Sequence, residues 1–72
     1  MNFSDALQEI RLGKKVTRPG WNVRGMHVAL QEPDPESTNS LPYLYIITAS
    51  RDRVPWTASQ IDILASDWVV VV

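Results

Sequence analysis

In the stretch Thr57-Ala58-Ser59-Gln60-Ile61-Asp62-Ile63-Leu64-Ala65-Ser66-Asp67-Trp68-Val69-Val70-Val71-Val72, a helical period gives way to a strand. Thr57 and Gln60 stand three apart, as in a capping box, where hydroxyl and amide satisfy each other's backbone amides. From that start Ile61, Leu64 and Ala65 would turn inward on a second helix of about two turns. Asp67-Trp68-Val69 to Val72 reads as a strand with no polar alternation, expected at the centre of a sheet or sealed at a subunit interface. Left at an open edge it would be a template for aggregation.

The residues before it supply the rest of a sheet. Tyr43 to Thr48 is apolar or aromatic on both faces, which implies a cover on each: the core on one, a subunit or ligand on the other. Ala49 to Asp52 forms a hairpin turn without the usual glycine, and Arg53-Val54 begins a strand that Pro55 limits. Met26 to Gln31 alternates as a half-buried strand. Between these, Glu32 to Pro42 is rich in proline, acids and small polar residues, the composition of a mobile loop. Phe3, Ala6, Leu7 and Ile10 recur at helical spacing, with Asn2 as N-cap, Asp5 near the positive end and Gly13 after the last turn, giving a helix over 3–12. Lys15 to Arg18 reads as a short strand, and Pro19-Gly20 turns the chain to present Trp21 and Asn22. The expected architecture is a single α+β domain over 1–72: a small antiparallel sheet, an N-terminal helix, and a short second helix before the last strand.

A chain of 72 residues without cysteine has neither disulfides nor a plausible zinc site to support so small a core. Self-association is the natural remaining support, and a homo-oligomer is expected. The net charge of −1 argues against a general DNA or RNA binder. Even so, Arg11, Lys14, Lys15, Arg18 and Arg24 follow one another with no acid between them. No membrane span or leader pattern is visible, and a soluble intracellular protein is expected.

Catalysis is thinly supported. His27, the single histidine, sits mid-strand with no triad pattern around it, and capping or turn roles account for Asp62 and Asp67. Gly13, Gly20 and Gly25 make no phosphate-cradling loop, and neither a metal nor a cofactor is expected. Binding of a phosphorylated aromatic ligand fits better. Trp21 could stack on a base while Arg18 and Arg24 offset phosphate charge and Asn22 reads a base edge or a ribose hydroxyl. The alternative is that Trp21 packs in a turn or the core and the bases are a solvated face. Trp56, Thr57, Ser59 and Gln60 make a second candidate wall at a helix start whose free amides attract anions, or else a cap and staple with no ligand. Trp68, opening the valine strand, reads as core. Tyr43 and Tyr45 share a strand face suited to a pocket or a subunit contact.

Several motifs are familiar together: Asn2-Phe3 with Asp5-Ala6-Leu7, Gly13-Lys14-Lys15-Val16, Arg18-Pro19-Gly20-Trp21-Asn22, Leu41-Pro42-Tyr43, and Val54-Pro55-Trp56-Thr57-Ala58-Ser59-Gln60-Ile61-Asp62 running on to Leu64-Ala65-Ser66-Asp67-Trp68. Through them the chain resembles, from end to end, the phage-encoded Thoeris anti-defence type two family. The resemblance implies a non-enzymatic sponge that holds cyclic nucleotide immune signals, typically cyclic ADP-ribose isomers and in some members cyclic dinucleotides at separate sites. It further implies a homotetramer in the cytoplasm of an infected bacterium. Carried over by position, Trp21, Asn22, Trp56 and Ser59 would lie at or near ligand pockets, with Gln60 and Asp62 beside them. Two departures stand out: Val23 replaces the family's usual glycine after Trp-Asn, and Ala49-Ser50-Arg51-Asp52 lacks its usual Asp-Gly turn. Val23 restricts the backbone more than glycine and could alter the pocket mouth and the choice of ligand.

Overall fold

A computed structural model describes residues 1–21, 24–34, 36 and 40–72. The element order is α1 (Phe3–Arg11), β1 (Lys15–Thr17), β2 (His27–Gln31), β3 (Tyr43–Ile47), β4 (Arg53–Pro55), α2 (Gln60–Leu64) and β5 (Val69–Val71). The strands form one antiparallel sheet in the order β4-β3-β2-β1-β5. This is the expected α+β arrangement, with an N-terminal helix and a short second helix before the last strand. Asn22, Val23 and, in the 32–42 stretch, Pro35, Ser37, Thr38 and Asn39 lie outside the described residues, and with them the expectations placed on Asn22 and Val23. The described residues of 32–42 form neither helix nor strand.

Both ends of α1 follow local chemistry. The Asn2 side chain accepts from the Asp5 amide at 2.9 Å. At the other end Gly13 has φ +90, its N–H reaches the Ile10 carbonyl at 2.9 Å, and the Lys14 N–H reaches the Glu9 carbonyl at 3.1 Å. That paired closure is the Schellman ending, which needs a left-handed residue and so favours glycine. Lys14 also forms an ion pair with Glu9 at 2.9 Å.

The helix lies on one sheet face. Val70, Val16, Val28, Ile46 and Val54 stand in register across all five strands. Ala6 and Ile10 pack with Val16, Val28 and Trp68 in a fully buried cluster, bordered by Phe3, Trp21, Leu44, Trp56 and Ala65. On the opposite face Ala29 pairs with Tyr45, and both are buried. The cover over Tyr45 is the sheet's own Arg53, whose guanidinium carbon lies 4.1 Å from the ring centroid and whose Nη1 donates to Gln31 Oε1 at 2.7 Å.

Three expectations are corrected. The second helix opens at Ser59, not Thr57: the Ser59 hydroxyl accepts from the Asp62 amide at 3.1 Å and donates to the Asp62 carboxylate at 3.0 Å. The Trp56 amide still bonds the Leu44 carbonyl at 2.9 Å, which carries extended pairing past β4 and delays the helix. As a result α2 has five residues. The shifted start also changes its inward face. Ile61 and Leu64 are 76% and 81% exposed, while Asp62 and Ala65 turn in. Finally, β5 is not central but an edge strand paired with β1 alone, leaving Val69 and Val71 43% and 38% exposed, the position in which a subunit interface would seal it. The N-terminal amino group of Met1 donates to the Trp68 carbonyl, and Trp68 N–H donates to the Met1 carbonyl, at 2.9 and 3.1 Å just before that edge.

Candidate functional site

Trp21 is placed by a turn and a carboxylate. Its amide bonds the Arg18 carbonyl at 3.0 Å, closing a four-residue turn with proline in the second position, where its fixed φ suits the bend. The indole N–H donates to Asp62 Oδ1 at 3.2 Å. The ring meets Trp68 edge-on, with centroids 5.3 Å apart at 83°. Trp21 is therefore neither free nor wholly core: one edge is fixed and the ring is half-buried.

Arg18 belongs to the same frame. Its Nη1 donates to Asp62 and its Nε to Asp67, both at 2.7 Å, and its side chain is largely withdrawn from solvent. The bond from Arg18 holds the Asp67 carboxyl below its ordinary range, and the bonds to Asp67 and then Asp62 raise the guanidinium above its own. Asp62 gathers still more: its carbonyl accepts the Trp68 indole N–H at 2.9 Å. One residue of α2 thus joins the turn, the cap and the core tryptophan. Two carboxylates already neutralise Arg18, which makes it a support for Trp21 more than a free cation.

A cavity of about 240 Å³ opens beside this frame, lined by Arg18, Trp21, Arg24, Gly25, Met26 and His27, with Thr17 and Val71 beneath. The Thr17 hydroxyl donates to the Met26 carbonyl at 2.7 Å. His27 Nδ1 lies 2.9 Å from the Gly25 carbonyl; a carbonyl can only accept, so Nδ1 carries the proton of this bond. Arg24 is exposed and has no ion pair among the described residues. The volume lies below the roughly 300–1,000 Å³ of enclosing ligand sites, so the cavity would enclose only part of a ligand of that size.

The structure brings Arg18, Trp21 and Arg24 together, with Asp62 behind them. Trp56, Thr57, Ser59 and Gln60 do not line this cavity. Trp56 packs on Trp68 and Phe3, with centroids 6.0 and 5.9 Å away, while Thr57, Ser59 and Gln60 are exposed. At the start of α2 the Ser59 hydroxyl takes up the Asp62 amide and the Asp62 carboxylate stands beside it. Sequence reasoning missed His27 and Met26 as lining residues. It also missed Arg51, whose guanidinium rests against Gly25. Its one signal was the hairpin that lacked a glycine. Among the described residues no group of histidine and carboxylates is placed to hold a metal, and no helix is long and apolar enough to cross a membrane.

Fold and site together define a small α+β domain with an aromatic and arginine-lined pocket at one end of its sheet. Residues 1–71 match the Thoeris anti-defense 2-like domain family, and the chain belongs to that family. It is similar to "Thoeris anti-defense 2" of Bacillus phage SP01, at 32% identity over 84 residues that cover 99% of this chain and 94% of that protein.

Proposed function

We propose that this protein is a phage anti-defence factor that binds cyclic nucleotide second messengers, cyclic ADP-ribose isomers or cyclic dinucleotides, and withholds them uncleaved from bacterial immune effectors. The observation that carries the reading is the cavity where the braced indole of Trp21 faces an Arg24 with no carboxylate partner among the described residues. Stacking of a base on an indole contributes about 1–3 kcal/mol. A free guanidinium adds a charge-assisted bond to phosphate. Family membership and the name of the phage relative support the anti-defence role.

The test is retention and release. The protein is incubated with each class of cyclic nucleotide, separated by filtration and heated; intact ligand in the heated fraction is the expected result, and a degraded product overturns the reading. Trp56, Ser59 and Gln60, with Thr57, belong to the proposal as a second wall for larger ligands, and Asn22 as a base or ribose reader. We further propose a homotetramer acting in the cytoplasm of the infected cell. The exposed Ile61, Leu64, Val69 and Val71 support self-association, because a domain this small gains most by covering such surface. The same open β5 edge favours a second reading, a module that inhibits a host protein by strand addition. Failure to deplete any cyclic nucleotide, with stoichiometric capture of a host protein, would select it.

A further inference from the structure

The β3–β4 hairpin closes through the Arg51 amide on the Thr48 carbonyl at 3.0 Å and the Thr48 amide on the Asp52 carbonyl at 2.9 Å. Arg51 has φ 68 and is the one non-glycine residue with positive φ among those described. Turn chemistry does not ask for arginine there, since glycine or asparagine adopts the left-handed region at less cost. An unfavourable backbone conformation that persists points toward a use for its side chain.

That side chain ends on Gly25, which also has positive φ, +92. A methyl group on Gly25 would come within 2.9 Å of Arg51 Cζ and 3.1 Å of Nη2, so the guanidinium packs directly on Gly25 and a side chain there would displace it. Gly25 lines the cavity between Arg24 and Met26, and its carbonyl holds His27. Two loops with exceptional backbones therefore meet, and their meeting sets the Arg51 guanidinium against Gly25, a lining residue of the cavity. Arg18, which lines the cavity, is committed to Asp62 and Asp67, and Arg53, next along β4, to Tyr45 and Gln31. Neither Arg24 nor Arg51 has an ion pair among the described residues.

We propose that Arg51 joins Arg24 beside Gly25 as a phosphate clamp for the nucleotide whose base lodges against Trp21. The clamp rests on the nucleotide-binding reading for the base and on its own geometry for the phosphates. Two guanidinium forks match adjacent phosphates better than one, and a cavity of about 240 Å³ leaves those phosphates outside.

The experiment is calorimetric titration of the wild type and Arg51→Gly with cyclic ADP-ribose and, separately, with inorganic pyrophosphate, at several salt concentrations. Glycine suits the positive φ, so Arg51→Gly should keep or raise the Tm. Its affinity for cyclic ADP-ribose should fall at least about tenfold, with a weaker dependence on salt, as expected when a phosphate contact is lost. Equal affinity and equal salt dependence in the two proteins overturn the clamp. Should the wild type take pyrophosphate but no cyclic nucleotide, and Arg51→Gly neither, the clamp stands and the nucleotide reading falls. Should the wild type bind neither ligand, both fall.

Discussion

At the residue scale, Asp67 and Trp21 make separable predictions. Because the Arg18 bond holds the Asp67 carboxyl below its unfolded value of about 3.9, its stabilising contribution is complete above that pH and lost as pH falls through the lower folded value. Urea midpoints measured from pH 7 to pH 2 should therefore drop in acid for the wild type, and Asp67→Asn should start lower and show a shallower acid loss. Trp21→Phe removes the indole bond to Asp62 but keeps a ring on Trp68. It should cost at most about 1.5–3 kcal/mol, the range for a bond to a charged group, and weaken ligand retention partially. Trp21→Ala should reduce affinity roughly 5- to 150-fold, the equivalent of about 1–3 kcal/mol of stacking. A Trp21→Ala protein that retains ligand as the wild type does would remove Trp21 from the site.

At the scale of elements, the two possible caps of α2 can be told apart by mutation. Ser59→Ala should lower stability by about 1 kcal/mol in a denaturant titration, whereas Thr57→Ala should change it by less than about 0.5 kcal/mol. The reverse order would restore the earlier helix start. Here the limits of sequence reading are physical. The ends of α1 were legible because Asn2, Asp5 and Gly13 act within one turn of it. The start of α2 was not, because Trp56 remains tied to Leu44 and Asp62 to Arg18, partners more than ten residues away. Both Thr57-x-x-Gln60 and Ser59-x-x-Asp62 satisfy the local capping pattern, and tertiary bonds choose between them. The site behaves likewise. Trp21 and Arg24 are close in sequence and were readable as a pair, but Arg51 meets Gly25 beside the pocket only through the hairpin register of β3 and β4.

At the scale of the whole molecule, one buried tryptophan accounts for much of the cohesion. Trp68 contacts the rings of Phe3, Trp21 and Trp56, and is fully buried. Trp68→Ala should cost about 3–5 kcal/mol, comparable to what a core of this size supplies, and leave the chain without a cooperative thermal transition. The open β5 edge gives a complementary test. If copies associate through it, Val71→Lys should lower the mass seen by light scattering while preserving the monomer's circular dichroism, because an edge lysine opposes strand addition. An unchanged mass would move the subunit contact elsewhere, with Ile61 and Leu64 the next surface to alter.

The convergence of Arg18, Trp21, Ser59 and Trp68 on Asp62 also bears on how such a protein can diversify. A change at any one of these positions strands a partner, so they are expected to tolerate substitution only in concert. Arg24 and the 49–52 hairpin carry no such obligation to the frame. New ligand preferences should therefore arise there first, as single replacements at the mouth of an unchanged scaffold.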